Sequence, residues 1–364
     1  MNLIQLMEDI GEVRLMVLGG LLIGALFGFF AQRSRFCMRS AVIEVSRREM
    51  GGKLAVWLLA FAVAVAGAQA LILLGQLNVG SARQLASAGS LSGALIGGLL
   101  FGAGMILARG CSSRMLVLSA NGNMRALLSG LVFAVTAQSA LSGVLAPLRN
   151  SLAGLWTLPA GGGDLLAALH VGNLGGLIFG LAWLLGAAYL ARRNRVSPWG
   201  WAGGLGVGAM VVAAWWFNYR LSVTAFEPVP VQSLSFTGPS ADLLMLVLLY
   251  PGAKVGFSAG LVPGVFLGSF IAGLLARELK LEGFGHGLSM GRYLTGGVFM
   301  GFGGMLAGGC AVGAGVSGAA VFALTSWVTL SAMWAGAAAT DWVVDRAGLL
   351  SRISRGSGAV MVNP

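Results

Sequence analysis

Charge is what this chain lacks most. Asp, Glu, Lys and Arg make up 10% of its 364 residues, against roughly 25% in soluble domains. With 57% of the residues hydrophobic, there is too little polar surface to cover a water-soluble core of this size, which excludes a soluble enzyme or binding module. Histidine is confined to His170 and His286, and the three cysteines form no Cys-x-x-Cys pair. That is a poor set of soft-metal ligands, so no metal or cofactor is expected. No Gly-x-x-x-x-Gly-Lys-Ser/Thr occurs, which argues against transport driven by nucleotide hydrolysis within this chain. No acidic residue lies clearly inside an apolar stretch, so coupling through a proton relay has no support. The net charge is +11, but no basic tract is interleaved with aromatics, and nucleic acid is not an expected partner. Met1 to Gly11 holds Glu8 and Asp9 and no Lys or Arg. The basic region of a cleaved signal peptide is therefore missing, and the first apolar stretch is expected to be a retained span.

What remains is long apolar runs. Nine are long enough to span, at about 13–31, 54–76, 91–108, 125–146, 171–191, 200–217, 254–276, 291–308 and 318–340. The apolar segment Ala241–Tyr250 is too short to cross and predicts a half-helix entering the membrane. Glycine, at 59 residues, suits close helix packing and broken helices in lipid. The expected fold is an all-α polytopic membrane protein of about nine transmembrane helices plus short re-entrant half-helices.

Loop charges predict orientation. Arg33, Arg35, Arg39, Arg47, Arg48 and Lys53 follow the first span, and Arg109, Arg114, Arg125, Arg192, Arg193, Arg195, Arg277 and Lys280 fall in alternate connections. The intervening loops offer Arg83, Arg149 and Arg220. The positive-inside rule then places the N-terminus outside and the tail, 341–364, in the cytoplasm.

The cysteines sit where apolar stretches break. Gly97-Gly-Leu-Leu-Phe-Gly-Ala-Gly-Met-Ile-Leu-Ala-Arg-Gly-Cys111 aligns with Gly296-Gly-Val-Phe-Met-Gly-Phe-Gly-Gly-Met-Leu-Ala-Gly-Gly-Cys310 at an offset of 199, with eight of fifteen positions identical. Ser34-Arg-Phe-Cys37-Met-Arg-Ser-Ala41 resembles Leu234-Ser-Phe-Thr237-Gly-Pro-Ser-Ala241 at an offset of 200. The chain thus divides into a first repeat, 13–146, a linking span, 171–191, and a second repeat, 200–340. A shift of five spans reverses orientation, which predicts an inverted-topology repeat with its site near the bilayer midplane. Cys37 maps onto Thr237, so the third cysteine has no partner.

At each break, glycine (Gly110 in the first, Gly308 and Gly309 in the second) is expected to end the preceding helix, and Ser112 or Ser113 to cap the next after the first. Helix N-termini there suit an anion, and a thiol adds a soft, weak hydrogen-bonding sulfur. Cys111 and Cys310 are the leading path residues, with Cys37 beside them. Gly110, Ser112, Gly309, Thr237, Arg109 and Lys254 are secondary candidates. Lys254, at the start of a span, attracts an anion or snorkels. Glu227 reads as surface, His286 as part of a flexible turn, and Asp341, Asp345 and Arg346 as a solvated helix end.

The segments Gln32-Arg-Ser-Arg-Phe-Cys37, Ala108-Arg-Gly-Cys-Ser112, Ser235-Phe-Thr-Gly-Pro-Ser240 and Gly303-Gly-Met-Leu-Ala-Gly-Gly-Cys-Ala-Val-Gly313 resemble the YeeE/YedE family of bacterial inner-membrane sulfur transport proteins. The resemblance covers almost the whole chain. It implies an hourglass-like helical protein that takes up thiosulfate past three cysteines, here Cys37, Cys111 and Cys310. It also implies, for some members, a small cytosolic sulfur-carrier partner of the TusA type. Two alternatives stay open at this point. One is transport of another sulfur or selenium species. The other is a membrane sulfurtransferase in which a cysteine beside Arg109 and Arg114 becomes a persulfide. A non-transporting membrane scaffold fits least well, since it has no need of broken, inverted helices.

Overall fold

The computed structural model describes residues 10–225, 230–249, 255–283 and 287–346. Its helices are α1 (Glu12–Ser34), α2 (Met38–Ser46), α3 (Gly52–Leu73), α4 (Leu91–Leu107), α5 (Ser112–Ala120), α6 (Met124–Ser142), α7 (Ala146–Ala153), α8 (Gly172–Arg193), α9 (Pro198–Thr224), α10 (Thr237–Leu249), α11 (Phe257–Leu275), α12 (Gly287–Leu306) and α13 (Leu324–Thr340). One turn of π-helix, Gly313–Gly318, joins α12 to α13, and another, Asp341–Arg346, follows α13. The described strands are two-residue segments, Gly89–Ser90 against Thr157–Leu158. Local signals set several helix starts: Ser90, Asn123 and Ser197 each accept a hydrogen bond from the amide three residues on, and Pro198 opens α9, where its missing N–H costs nothing.

The protein is an all-α polytopic membrane protein. Seven described helical segments are long and apolar enough to cross a membrane, containing α1, α3, α4, α6, α8, α9 and α11. Two of the nine expected spans fall outside that set: α13 has 17 residues, and α12, with 20, is rich in glycine. The apolar run from Ala241 lies in a short helix, α10, which begins four residues earlier.

Close backbone contact organises the bundle. Gly20, Gly24 and Gly28 of α1 face the carbonyls of Phe257, Leu261 and Val265, while Gly260, Gly264 and Gly268 of α11 face those of Val17, Leu21 and Ala25. The glycines recur every fourth residue on both helices, so they form one stripe on each facing surface. Trp57, Phe61, Phe179, Phe322, Trp327 and Trp334 cluster around α3, α8 and α13, edge to face or tilted apart from the stacked Trp57 and Phe61.

One expectation about the chain's end is corrected. Asp341 is not a solvated helix end: its side chain is 0% exposed and lies 3.7 Å from Arg47, which follows α2. A buried carboxylate requires such a partner. Lys254, Glu227 and His286 lie outside the described residues.

Candidate functional site

The three cysteines follow one repeated turn. α1, α4 and α12 each end with a residue in the left-handed region: Arg35 (φ 53°), Arg109 (φ 57°) and Gly308 (φ 78°). The amide of the next residue then reaches back to close the helix: Phe36 to the Ala31 carbonyl at 3.1 Å, Gly110 to Met105 at 3.1 Å and Gly309 to Gly304 at 2.8 Å. This is a Schellman closure, and in all three cases the residue after it is cysteine. The expected role of glycine is therefore corrected by one position at the first break alone. At the first break Arg109 rather than Gly110 takes the positive φ, while at the second the Gly308-Gly309 pair ends the helix as expected, with Gly308 at the positive φ. The capping expectation is corrected as well, because Cys111 itself occupies the N-cap of α5, in extended conformation, and Cys37 does the same for α2.

All three thiols are free and buried, at 8%, 1% and 0% exposure for Cys37, Cys111 and Cys310. Cys37 and Cys111 are close side-chain neighbours, so the N-termini of α2 and α5 meet at a pair of sulfur atoms. Ser113 Oγ lies 3.4 Å from Cys111 Sγ. Ser112 points elsewhere, into an apolar cavity of about 330 Å³ between α5, α6, α10 and α11. Cys310 belongs to a second junction. Its Sγ accepts the backbone N–H of Phe236 and of Gly313, each at 3.3 Å. Phe236 immediately precedes α10, so this sulfur receives donors from two separate breaks. Thr237 begins α10; its hydroxyl and that of Ser112 are buried with no hydrogen-bond partner among the described residues.

The Cys310 junction is braced from outside. Ser317 Oγ donates to the Leu234 carbonyl at 2.9 Å, Trp215 Nε1 to the Ser317 carbonyl at 3.3 Å and Gln69 Nε2 to the Ala320 carbonyl at 2.9 Å. Ser233 Oγ donates to the Val211 carbonyl at 2.6 Å. Irregular backbone at membrane depth persists only when its polar groups are satisfied in this way. Phe236 itself is buried against Phe27 of α1, with ring centroids 5.2 Å apart.

Each junction borders an opening large enough for several waters. Gly308 and Ala314, which flank Cys310, line a cavity of about 170 Å³ with Arg83, Gln84, Ser90 and Ser326. Arg35 and Arg114, near Cys37 and Cys111, line a second cavity of about 360 Å³ with Gln32, Arg277, Glu278 and Lys280. Ser90 caps the start of α4. Asn123, in the second cavity, also borders a small cavity with Ala108 and Arg109 at the end of α4. The two mouths are thus separated along α4, whose 17 residues span about 25 Å at 1.5 Å per residue. Arg109 is exposed and shares its cavity with Arg125 and Tyr293, apart from the thiols. Gln32 and Glu278 are a pair that the sequence does not reveal: Gln32 opens the Gln32–Cys37 segment, but its partner lies 246 positions away.

A membrane bundle whose helices break at buried thiols, with a polar mouth at either end, defines a polytopic membrane transport protein. The chain belongs to the sulphur transport family (YeeE/YedE), whose model matches residues 33–339. It is 29% identical over 350 residues to the thiosulfate transporter TsuA of Escherichia coli (strain K12), covering 90% of this chain and 95% of that one. It is 26% identical over 346 residues to the thiosulfate transporter TsuA of Spirochaeta thermophila (strain ATCC 700085 / DSM 6578 / Z-1203), covering 91% of this chain and 100% of that one.

Proposed function

We propose that the chain takes up thiosulfate across the bacterial inner membrane, through a path lined by Cys310, Cys111 and Cys37. The observation that carries this reading is the shared turn: three helices end in the same closure, and each delivers a buried thiol to the start of another segment, between two polar mouths. A dianion crossing a low-dielectric slab needs donors in place of water. Helix N-termini supply partial positive charge, and thiols bind softly without trapping.

The reading includes an hourglass with nine spans, α12 and α13 completing the seven. It also treats 13–146 and 200–340 as inverted repeats joined by 171–191. The contacts support it: the Cys37–Cys111 junction is the counterpart, at an offset near 200, of the junction between the start of α10 and Cys310. With the N-terminus outside, the Arg83 mouth receives the anion and the arginine-rich mouth releases it to the cytoplasm, where a TusA-like carrier could collect it. Thr237 and Gly110 and Gly309 shape the path. Lys254 is kept as an entrance candidate.

A bacterium deficient in sulfate uptake is expected to grow on thiosulfate as sole sulfur source when it carries this chain. Absence of growth with normal membrane expression would move the assignment to another sulfur or selenium anion. A stoichiometric persulfide on Cys111 after exposure to thiosulfate would instead favour the sulfurtransferase. Arg109 lies apart from the thiols, so Arg109→Gly is expected to keep thiosulfate uptake within about twofold of wild type, since glycine accepts the positive φ that arginine holds at a cost of roughly 1–2 kcal/mol. A tenfold loss of uptake with normal expression would return Arg109 to the path.

A further inference from the structure

The arginine-rich mouth already contains an anion of its own. Arg35, Arg114, Arg277 and Lys280 line it, together with the carboxylates of Glu278 and Glu282. The two carboxylates are engaged differently. Glu282 turns to the rim, where it accepts from Asn123 and pairs with Arg125 at 3.3 Å. Glu278, just beyond α11, is held by residues at the end of α1. Its Oε2 accepts from Gln32 Nε2 at 2.9 Å, and its Oε1 pairs with Arg35 at 3.3 Å.

Gln32 is the link to the thiols. It is buried at 5% exposure, so its amide must be hydrogen-bonded at both ends. The Gln32 carbonyl accepts from Arg114 NH1 at 3.3 Å. This fixes which end of the amide faces the mouth, and that end is a donor. Arg114 is the electrostatic neighbour of both Cys37 and Cys111. A hydrogen-bonded chain therefore runs from Glu278 through Gln32 to Arg114, beside the thiol pair. The groups that hold the Glu278 carboxylate, an amide N–H and a guanidinium, are those that would hold two oxygens of a sulfur oxyanion.

We propose that Gln32, Arg35 and Arg114 form a small-oxyanion site in this mouth, distinct from the cysteines, and that Glu278 is its resident occupant, displaced by an anion in transit. The proposal builds on the reading of this mouth as one end of an anion path. The carboxylate has two consequences. It keeps four cationic side chains from retaining a dianion, since its charge repels the ion as it returns to Gln32 and Arg35. It also makes the mouth selective, because an incoming ion must hydrogen-bond well enough to replace a carboxylate.

The test reads local charge at the mouth and uses no thiosulfate. Leu118 lines the same cavity, and Leu118→Cys places a reporter thiol there. The full-length chain is purified and treated with an anionic (ethylsulfonate) or a cationic (ethyltrimethylammonium) methanethiosulfonate, and the rate at position 118 is read by peptide mass spectrometry. Adding Glu278→Gln is expected to raise the anionic-to-cationic rate ratio at least about fivefold, with Glu278→Ala moving it the same way. Adding Glu282→Gln should leave the ratio within about twofold. Inorganic sulfate should slow the anionic reagent more strongly in Glu278→Gln than in the parent. An unchanged ratio in Glu278→Gln, or an equal rise with Glu282→Gln, would overturn the proposal. Loss of the thiosulfate assignment in the growth experiment would leave this result standing, and the reverse also holds.

Discussion

Cys310→Ser is expected to lower thiosulfate uptake by at least about tenfold while the protein still inserts and purifies normally. The structure explains why serine is the informative replacement. Cys310 Sγ accepts two buried backbone N–H groups, from Phe236 and Gly313. A serine oxygen can still accept from them, so the junction between the α10 start and the Gly313–Gly318 turn keeps its acceptor. What is lost is the large, polarisable sulfur presented to the path. Cys310→Ala behaves differently. It removes the acceptor and leaves both donors buried without partners, at about 1–3 kcal/mol each, so its unfolding midpoint in detergent should fall below that of Cys310→Ser. Cys111→Ser should share the uptake defect, because Cys111 faces Cys37 with Ser113 as its other neighbour. Radiolabelled thiosulfate uptake, normalised to membrane protein, checks the first claim, and thermal unfolding by size-exclusion the second. Full uptake by both serine variants would falsify the thiol role.

The parts of this architecture that were legible in the sequence are those carried by local composition. Apolar runs located most of the long helices to within a few residues, although α9 runs seven residues past its expected end and α13 starts six residues late, and the short helix α10 announced itself as an apolar run too short to cross. The breaks were legible because cysteine, glycine and charge interrupt those runs. Helical phase at the breaks was not. A Schellman closure needs one residue at positive φ, and glycine is the usual choice, yet Arg35 and Arg109 fill that place in two of three turns. Moving the left-handed residue by one position makes Cys111 the N-cap and turns Ser112, rather than Ser113, away from it. Long-range pairing was also hidden. Nothing near Asp341 indicates that it will be buried against Arg47, and nothing near Glu278 indicates that it will meet Gln32. Those contacts exist because α1 and α11 are packed along their length, and because the segment after α13 folds back onto the end of α2.

That packing of α1 on α11 leads to the largest expected effect on folding. Gly268→Ala should abolish accumulation of folded protein. A Cβ at Gly268 would lie 1.8 Å from the carbonyl oxygen of Ala25 and 2.5 Å from its carbonyl carbon. Both are backbone atoms, so no rotamer change relieves the overlap; one helix must shift away from the other. A shift is not local here, because Gly20, Gly24, Gly28, Gly260 and Gly264 are in equally direct contact with the opposing backbone. In lipid there is no hydrophobic drive to restore the pair, and association depends on the close contact itself. The same displacement would carry the ends of both helices with it. Gln32 and Arg35 sit at the end of α1, and Glu278 follows α11, so any surviving protein would also lose the Gln32–Glu278 contact. Gly186 of α8 provides the control, since a Cβ there meets nothing within 4 Å. Gly186→Ala should therefore match wild type in yield and in monodispersity on size-exclusion chromatography. Wild-type yield and unfolding midpoint for Gly268→Ala would show that α1 and α11 are not held at the separation described here.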